Sequence, residues 1–251
     1  MEIFTMKTQR ILSIDTNAKT VKGQKKGYLT GIVYLAPYTL GGTNVCPMAK
    51  LAGCHEACLY TAGRGIFSSV QTARLNKTVK FNNDLQGFML QLVKDIKALQ
   101  KKATKLGFIP LVRLNGTSDI RYENIYFDYN DQSVTIFEVF PDIQFYDYTK
   151  IVNRKNIPSN YDLTFSYSNK LEYRDYAMKA FKQGLRVAVV FRDKKSIPTT
   201  FMGKKCIDGD NTDIRHLDPQ NLVVALYAKG KARSDVSGFV VDAVTFNLKV
   251  A

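Results

Sequence analysis

The chain has no tryptophan, only two histidines and only four cysteines among its 251 residues. Each scarcity narrows the function. Without tryptophan, any stacking on nucleic-acid bases rests on the 14 tyrosines and 15 phenylalanines. With His55 and His216 alone, a histidine-based hydrolase has two candidate bases, and no GxSxG elbow accompanies either. No GxGxxG follows the first strand and no full Walker motif is present, which argues against nicotinamide and P-loop chemistry. No apolar run approaches the length that spans a bilayer. The start, MEIFTMKTQRILSID, carries charges and no long apolar core, so a secretory leader is not expected. These features predict a cytosolic protein away from the membrane. No stretch rich in proline, glycine or serine marks a linker, and no repeat is visible, so 1–251 reads as a single domain.

Positive charge is abundant. Thirty-six Lys and Arg face 22 Asp and Glu, a net charge of +14. Solubility needs less than this. A basic excess of this size draws phosphate polyanions, so nucleic acid or a nucleotide is the expected partner class.

Three of the four cysteines fall in one glycine-flanked stretch, Cys46-Pro47 and Cys54-His55-Glu56-Ala57-Cys58, and Cys206 lies far downstream. Buried inert thiols do not usually sit among Lys50, His55 and Glu56. In a reducing cytosol, clustered cysteines are more often ligands than disulfides. Three thiolates hold a [4Fe–4S] cluster with one iron open, the arrangement that binds a sulfonium cofactor such as S-adenosylmethionine. Zinc is the alternative, with His55 or Cys206 completing a tetrahedron. If the 54–58 segment is helical, Cys54 and Cys58 share a face. The spacing is neither CxxxCxxC nor CxxC…CxxC.

The pattern of elements is α/β. Residues 27–40 read as a strand, 68–82 and 85–106 as helices, and 108–114, 143–148, 163–167, 185–191 and 222–227 as apolar strands, with another helix over 170–183. Residues 134–140 suggest a short helix, and 19–26 a basic turn. Strands alternating with helices predict a largely parallel sheet, built as a partial or complete α/β barrel, with a doubly wound sheet as the alternative. In such folds the C-terminal strand ends line the active site.

Three polar strand ends supply candidates. Arg113, Asn115, Ser118 and Asp119 follow one strand, Asp147, Tyr148 and Lys150 the next, and Ser166 the third. Asp119, Asp147, Tyr148 and Lys150 are the catalytic candidates. Arg113, Asn115, Ser118 and Ser166 are candidates for holding a cofactor, as is Arg64 in the glycine turn beside the cysteines. Ordinary turn chemistry explains each loop equally well alone. Asp208, Asp213 and His216, in IDGDNTDIRHLDP, are weaker candidates for a divalent ion. The ligand order excludes an EF-hand. Lys229 to Arg233, KGKAR, is a basic loop after the last strand.

CPMAKLAGCHEACLYTAGRG, VRLNGTSDI, YDYTK and IDGDNTDIRHLDP with KGKAR together resemble an uncharacterised bacteriophage protein family. The resemblance implies a phage or prophage setting and a protein made in the host cytosol, where a host protein is a further possible partner. In its order of parts the chain is more distantly similar to radical S-adenosylmethionine enzymes. That likeness lies in architecture and not in the cysteine spacing.

Overall fold

The computed structural model describes residues 10–14 and 18–243. The first half contains β1 (Leu12–Ile14), α1 (Ala18–Gln24), β2 (Tyr28–Val33), α2 (Ser68–Asn83), α3 (Leu85–Leu106) and β3 (Ile109–Arg113). A hairpin of β4 (Phe127–Tyr129) and β5 (Gln132–Val134) follows, then α4 (Ile136–Val139), β6 (Gln144–Thr149) and β7 (Tyr161–Ser166). The chain continues through α5 (Arg174–Lys182), β8 (Val187–Phe191), β9 (Thr200–Phe201), β10 (Lys204–Asp208) and β11 (Val223–Tyr227).

Nine strands form one sheet in the order β1-β2-β3-β6-β7-β8-β11-β10-β9. Every neighbouring pair from β2 to β10 is parallel, and only the edge strands β1 and β9 run antiparallel. The fold is therefore α/β with a mostly parallel sheet. Among the described residues no pairing joins β1 to β9, so the sheet is open and not a closed barrel.

One face of the sheet is covered by helices. In α3, Phe88, Met89, Leu92, Val93, Ile96 and Leu99 recur at helical spacing and are buried against Val112, Leu114 and Phe145. Asp84 caps α3 by accepting from Gly87 N at 2.9 Å, and Gly107 ends it in the left-handed region at φ 69°. In α5, Ala177, Ala180 and Phe181 close over Phe165, Val187, Val189 and Val223. On the other face Ala188 is buried with Leu222 and Val224, so both faces of β8 are covered and it reads as a nearly continuous apolar run.

The opposite face is covered by chain segments instead. Ile214 packs with Leu111 and Tyr146, and the Cβ that Gly23 lacks would lie 3.4 Å from Ile214. So the expected basic turn at 19–26 is in fact α1, held by a tertiary contact that local composition does not announce. The β4–β5 hairpin is likewise not legible as strands in the sequence. It turns on Asn130 and Asp131, whose φ angles of 52° and 59° suit the tight turn of a two-residue hairpin.

Candidate functional site

Cys46, Cys54 and Cys58 lie in the loop between β2 and α2, above the C-terminal ends of β2, β3, β6 and β7. Residues 47–56 form successive turns, so Cys54 and Cys58 do not share a helical face. The conditional expectation of a helix fails because Gly53 sits at φ +72°, and its missing Cβ would come within 2.6 Å of Ser237 Oγ. The loop is tied to two later loops. Ser168 Oγ donates to Ala52 O at 2.7 Å, and Ser237 Oγ donates to Gly53 O at 3.1 Å.

All four cysteines are unpaired and half-buried. Cys46 Sγ accepts from Tyr38 N at 3.4 Å and donates to Thr117 O at 3.5 Å. Cys54 Sγ donates to Ala49 O at 3.8 Å. Burial pushes the Cys46 thiol up to about 12, and the nearby Cys54 and Cys58 push the same way. Burial also raises Cys54 and Cys58. Lys150 opposes the rise at Cys54, and Arg74 and Lys231 oppose it at Cys58. The three thiols thus feel one another's charge. Among the described residues no three His, Cys, Asp or Glu side chains are close enough to clasp an ion as they stand. Cys206 does not join them. It lies in β10 opposite Val223, and burial alone raises it, to about 11. His55 Nδ1 is 3.2 Å from Ala49 O, and its ring lies 5.3 Å from that of Tyr38.

Beside the thiols is a buried lysine. Lys150 Nζ donates to Ser166 Oγ at 3.1 Å, Ser166 O at 3.2 Å and Tyr167 O at 3.3 Å. Its ammonium faces the rings of Phe239 at 4.6 Å and Tyr173 at 5.4 Å. Burial lowers its proton affinity, while Cys54, Asp119 and Cys46 raise it. Asp119 Oδ2 accepts from Lys150 N at 2.8 Å, and Asp119 Oδ1 lies 3.6 Å from Arg154 Nη1. Burial raises the Asp119 carboxyl against these partners. So Asp119, Lys150 and Ser166 meet as a linked set next to Cys46 and Cys54.

The other candidates are placed differently. Arg113 is buried, with Nη1 2.5 Å from Asp213 Oδ2 and Nε 3.6 Å from Asp147 Oδ1. Its guanidinium is committed to two protein carboxylates. Asp147 is fully buried and accepts from Leu114 N, Asn115 N and Tyr161 OH at 3.0, 3.0 and 3.1 Å. Desolvation pushes it up to about 6 against Arg113 and these donors. Asn115 Oδ1 accepts from Ser118 Oγ and Ile120 N, both at 2.8 Å, which shapes the turn after β3. The Tyr148 ring lies beside the Arg113 guanidinium at 5.2 Å. Arg64 is exposed in the turn before α2.

Residues 212–218 form an internal brace, and among the described residues Asp208, Asp213 and His216, the weaker candidates for a divalent ion, do not group as ligands. Asp213 holds Arg113, and His216 packs its ring 5.8 Å from both Tyr28 and Tyr146. Arg215 is 1% exposed, with Nη2 2.5 Å from Thr212 O and Nη1 3.2 Å from Asp218 Oδ2. Arg186, also buried, reaches Thr164 Oγ1 at 2.8 Å and pairs with Asp162.

Sequence reasoning missed Arg74 and Tyr173. Arg74 projects from α2 over Tyr34 and Tyr60 at 4.9 and 5.5 Å, toward Cys58. Tyr173 OH donates to Lys150 O at 2.6 Å. Single arginines on helices and tyrosines in connecting segments carry no motif. Only the fold brings them in.

A search of curated proteins found no match, and a search of solved structures found none either. The family described as gene product 88 matches residues 8–243. That span takes in the cysteine loop, every polar strand end and the basic loop after β11, and on it the chain belongs to the gene product 88 family, an uncharacterised family of phage-type gene products.

Proposed function

We propose that the protein is an iron–sulfur enzyme of radical S-adenosylmethionine type, acting in the host cytosol on a nucleotide or nucleic-acid substrate. The observation that carries this reading is one neighbourhood of three thiols above the C-terminal ends of parallel strands. We read the consecutive parallel strands β2-β3-β6-β7-β8 as the wall of a partial barrel whose mouth is the site.

The donor chemistry fits a cluster. Cys46, Cys54 and Cys58 offer three sulfurs, and Lys150, Arg74 and Lys231 supply positive charge that offsets ligated thiolates. The sulfurs lie on a loop of turns, so closing them around a cluster shifts turns and not strands. When bound, a cluster with an open iron supplies one electron to a sulfonium cofactor. In this reading Lys150 and Ser166 orient a polar group of the cofactor or substrate, and Asp119 holds Lys150 in place through its backbone N–H. Anaerobic purification tests it. We expect a brown protein with iron, acid-labile sulfide and cofactor cleavage on reduction. A colourless preparation without iron or sulfide rejects it.

A second reading is a non-enzymatic nucleic-acid-binding protein with structural zinc. It is favoured by exposed lysines at the other end of the sheet. Ile109 N donates to Gly27 O at 2.8 Å, which sets the ends of α1 and α3 side by side. Lys25, Lys26, Lys101 and Lys105 are exposed there, and the lone acidic residue of α3, Asp95, is buried. Zinc in place of iron, with salt-sensitive DNA or RNA binding and no turnover, selects this reading.

A further inference from the structure

We propose that a small polar cleft at the C-terminal ends of β10 and β11 binds a phosphorylated sugar, the charged end of a nucleotide. This rests on reading the sheet mouth as an active site.

The cleft has a volume of about 180 Å³ and is lined by Lys22, Lys194, Asp208, Asp210, Tyr227 and Lys229. It is smaller than the roughly 300–1,000 Å³ of sites that bury a drug-sized ligand, so it takes one end of a molecule. Its three lysines come from α1, from the segment after β8 and from the segment after β11. Such convergence from distant parts of the chain is a property of the fold.

Asp210 fixes the arrangement. Lys229 Nζ donates to its Oδ1 at 2.6 Å, and Lys22 Nζ donates to its carbonyl at 3.0 Å. Asp210 N in turn donates to Asp208 Oδ1 at 2.7 Å. The Lys229 ammonium lies 4.4 Å from the centre of the Tyr227 ring. Lys194 is exposed at the rim. Three ammonium groups face two carboxylates, so the cleft carries an excess positive charge that a phosphate satisfies. Asp208, exposed in the cleft, offers an acceptor to a sugar hydroxyl, and the Tyr227 ring offers a flat apolar wall. A phosphate alone would leave those groups unused. A neutral sugar alone would leave the lysines unused.

The cleft also adjoins the cysteine loop. A Cβ on Gly230 would lie 3.1 Å from Ala62 Cβ, so the segment after β11 packs against the cysteine loop. Lys229, the residue before Gly230, faces the cleft.

Titration calorimetry of the full chain with ribose 5-phosphate, ribose and inorganic phosphate tests the assignment. Ribose 5-phosphate should bind at least about tenfold more tightly than either fragment, the worth of one charge-assisted hydrogen bond. Lys194→Gln, on an exposed side chain, should weaken it by about fivefold to tenfold and leave ribose unchanged. Cys54→Ala should leave it unaffected, so the result stands apart from metal content. Equal binding of ribose and ribose 5-phosphate, inorganic phosphate binding as tightly as the sugar phosphate, or wild-type affinity in Lys194→Gln would each overturn the proposal. So would an absence of binding by all three probes.

Discussion

The 46–58 loop and the 208–218 segment both follow strands of the same sheet, and both concentrate chemically capable side chains. They end in opposite conditions. In the 212–218 part of the second segment the charges are spent inside the protein, Asp213 on Arg113 and Arg215 on Asp218 and Thr212. In the cysteine loop Cys46 and Cys54 make long sulfur contacts, at 3.4 to 3.8 Å, and the three thiols lie among cations from three other elements. A cluster of reactive residue types is therefore no guide to function until each group's internal partners are known. The brace commits its charges to stability.

The largest effect that tests this contrast is expected in the brace. Asp213→Ala leaves Arg113 buried without its nearest counter-charge and should cost about 3–5 kcal/mol in urea denaturation. A variant as stable as the parent would remove the distinction between the two regions. Asp147→Asn should cost somewhat less, about 2–3 kcal/mol, because Asn115 N, Leu114 N and Tyr161 OH lose a charged acceptor.

Asp147 also predicts a pH dependence. Its carboxyl titrates near 6 in the fold against about 4 in the unfolded chain. The folded state then holds the proton more tightly, so this contribution to stability is full below pH about 4 and is lost as pH rises through about 6. Urea midpoints between pH about 4 and about 7 should fall across that window in the parent and lack this component in Asp147→Asn. Parallel profiles would show that Asp147 is ionised throughout.

The cysteine loop should respond the other way. Cys54→Ala removes a half-buried thiol from a turn and should cost no more than about 1–1.5 kcal/mol, while abolishing metal uptake. A loss of about 3 kcal/mol or more, by the same urea assay, would make that cysteine a packing residue instead. The smallest stability effect is expected for Lys25, Lys26, Lys101 and Lys105 changed together to Gln, within about 0.5 kcal/mol for each site. If nucleic acid docks on that end, the slope of log affinity against log salt should fall by about 3–4, near 0.9 for each phosphate that is no longer neutralised. An unchanged slope would place the nucleic acid elsewhere on the surface.

Much of this fold is legible in the chain. The apolar spacing of α3 and the continuous run of β8 declare themselves, because helical and fully covered strand patterns are local. The polar strand ends are also visible, but what each one does is not. Asp119, Lys150 and Ser166 meet the thiols, whereas Arg113 and Asp147 pair across about a hundred and about thirty residues with groups that spacing cannot link. The α1 helix and the Arg74 contact share that limit, since both depend on packing between distant segments. The cysteine cluster draws attention by its density, yet the turns that shape it follow from the contact between Gly53 and Ser237.

Elemental analysis of anaerobically purified protein, carried through four single cysteine-to-alanine variants, tests the central claim most directly. Bound iron with sulfide should be present in the parent and in Cys206→Ala, and lost in the variants at 46, 54 and 58. Zinc in the same pattern would keep the site and change its chemistry. A parent free of metal, or four variants that behave alike, would contradict the claim that these three sulfurs act together.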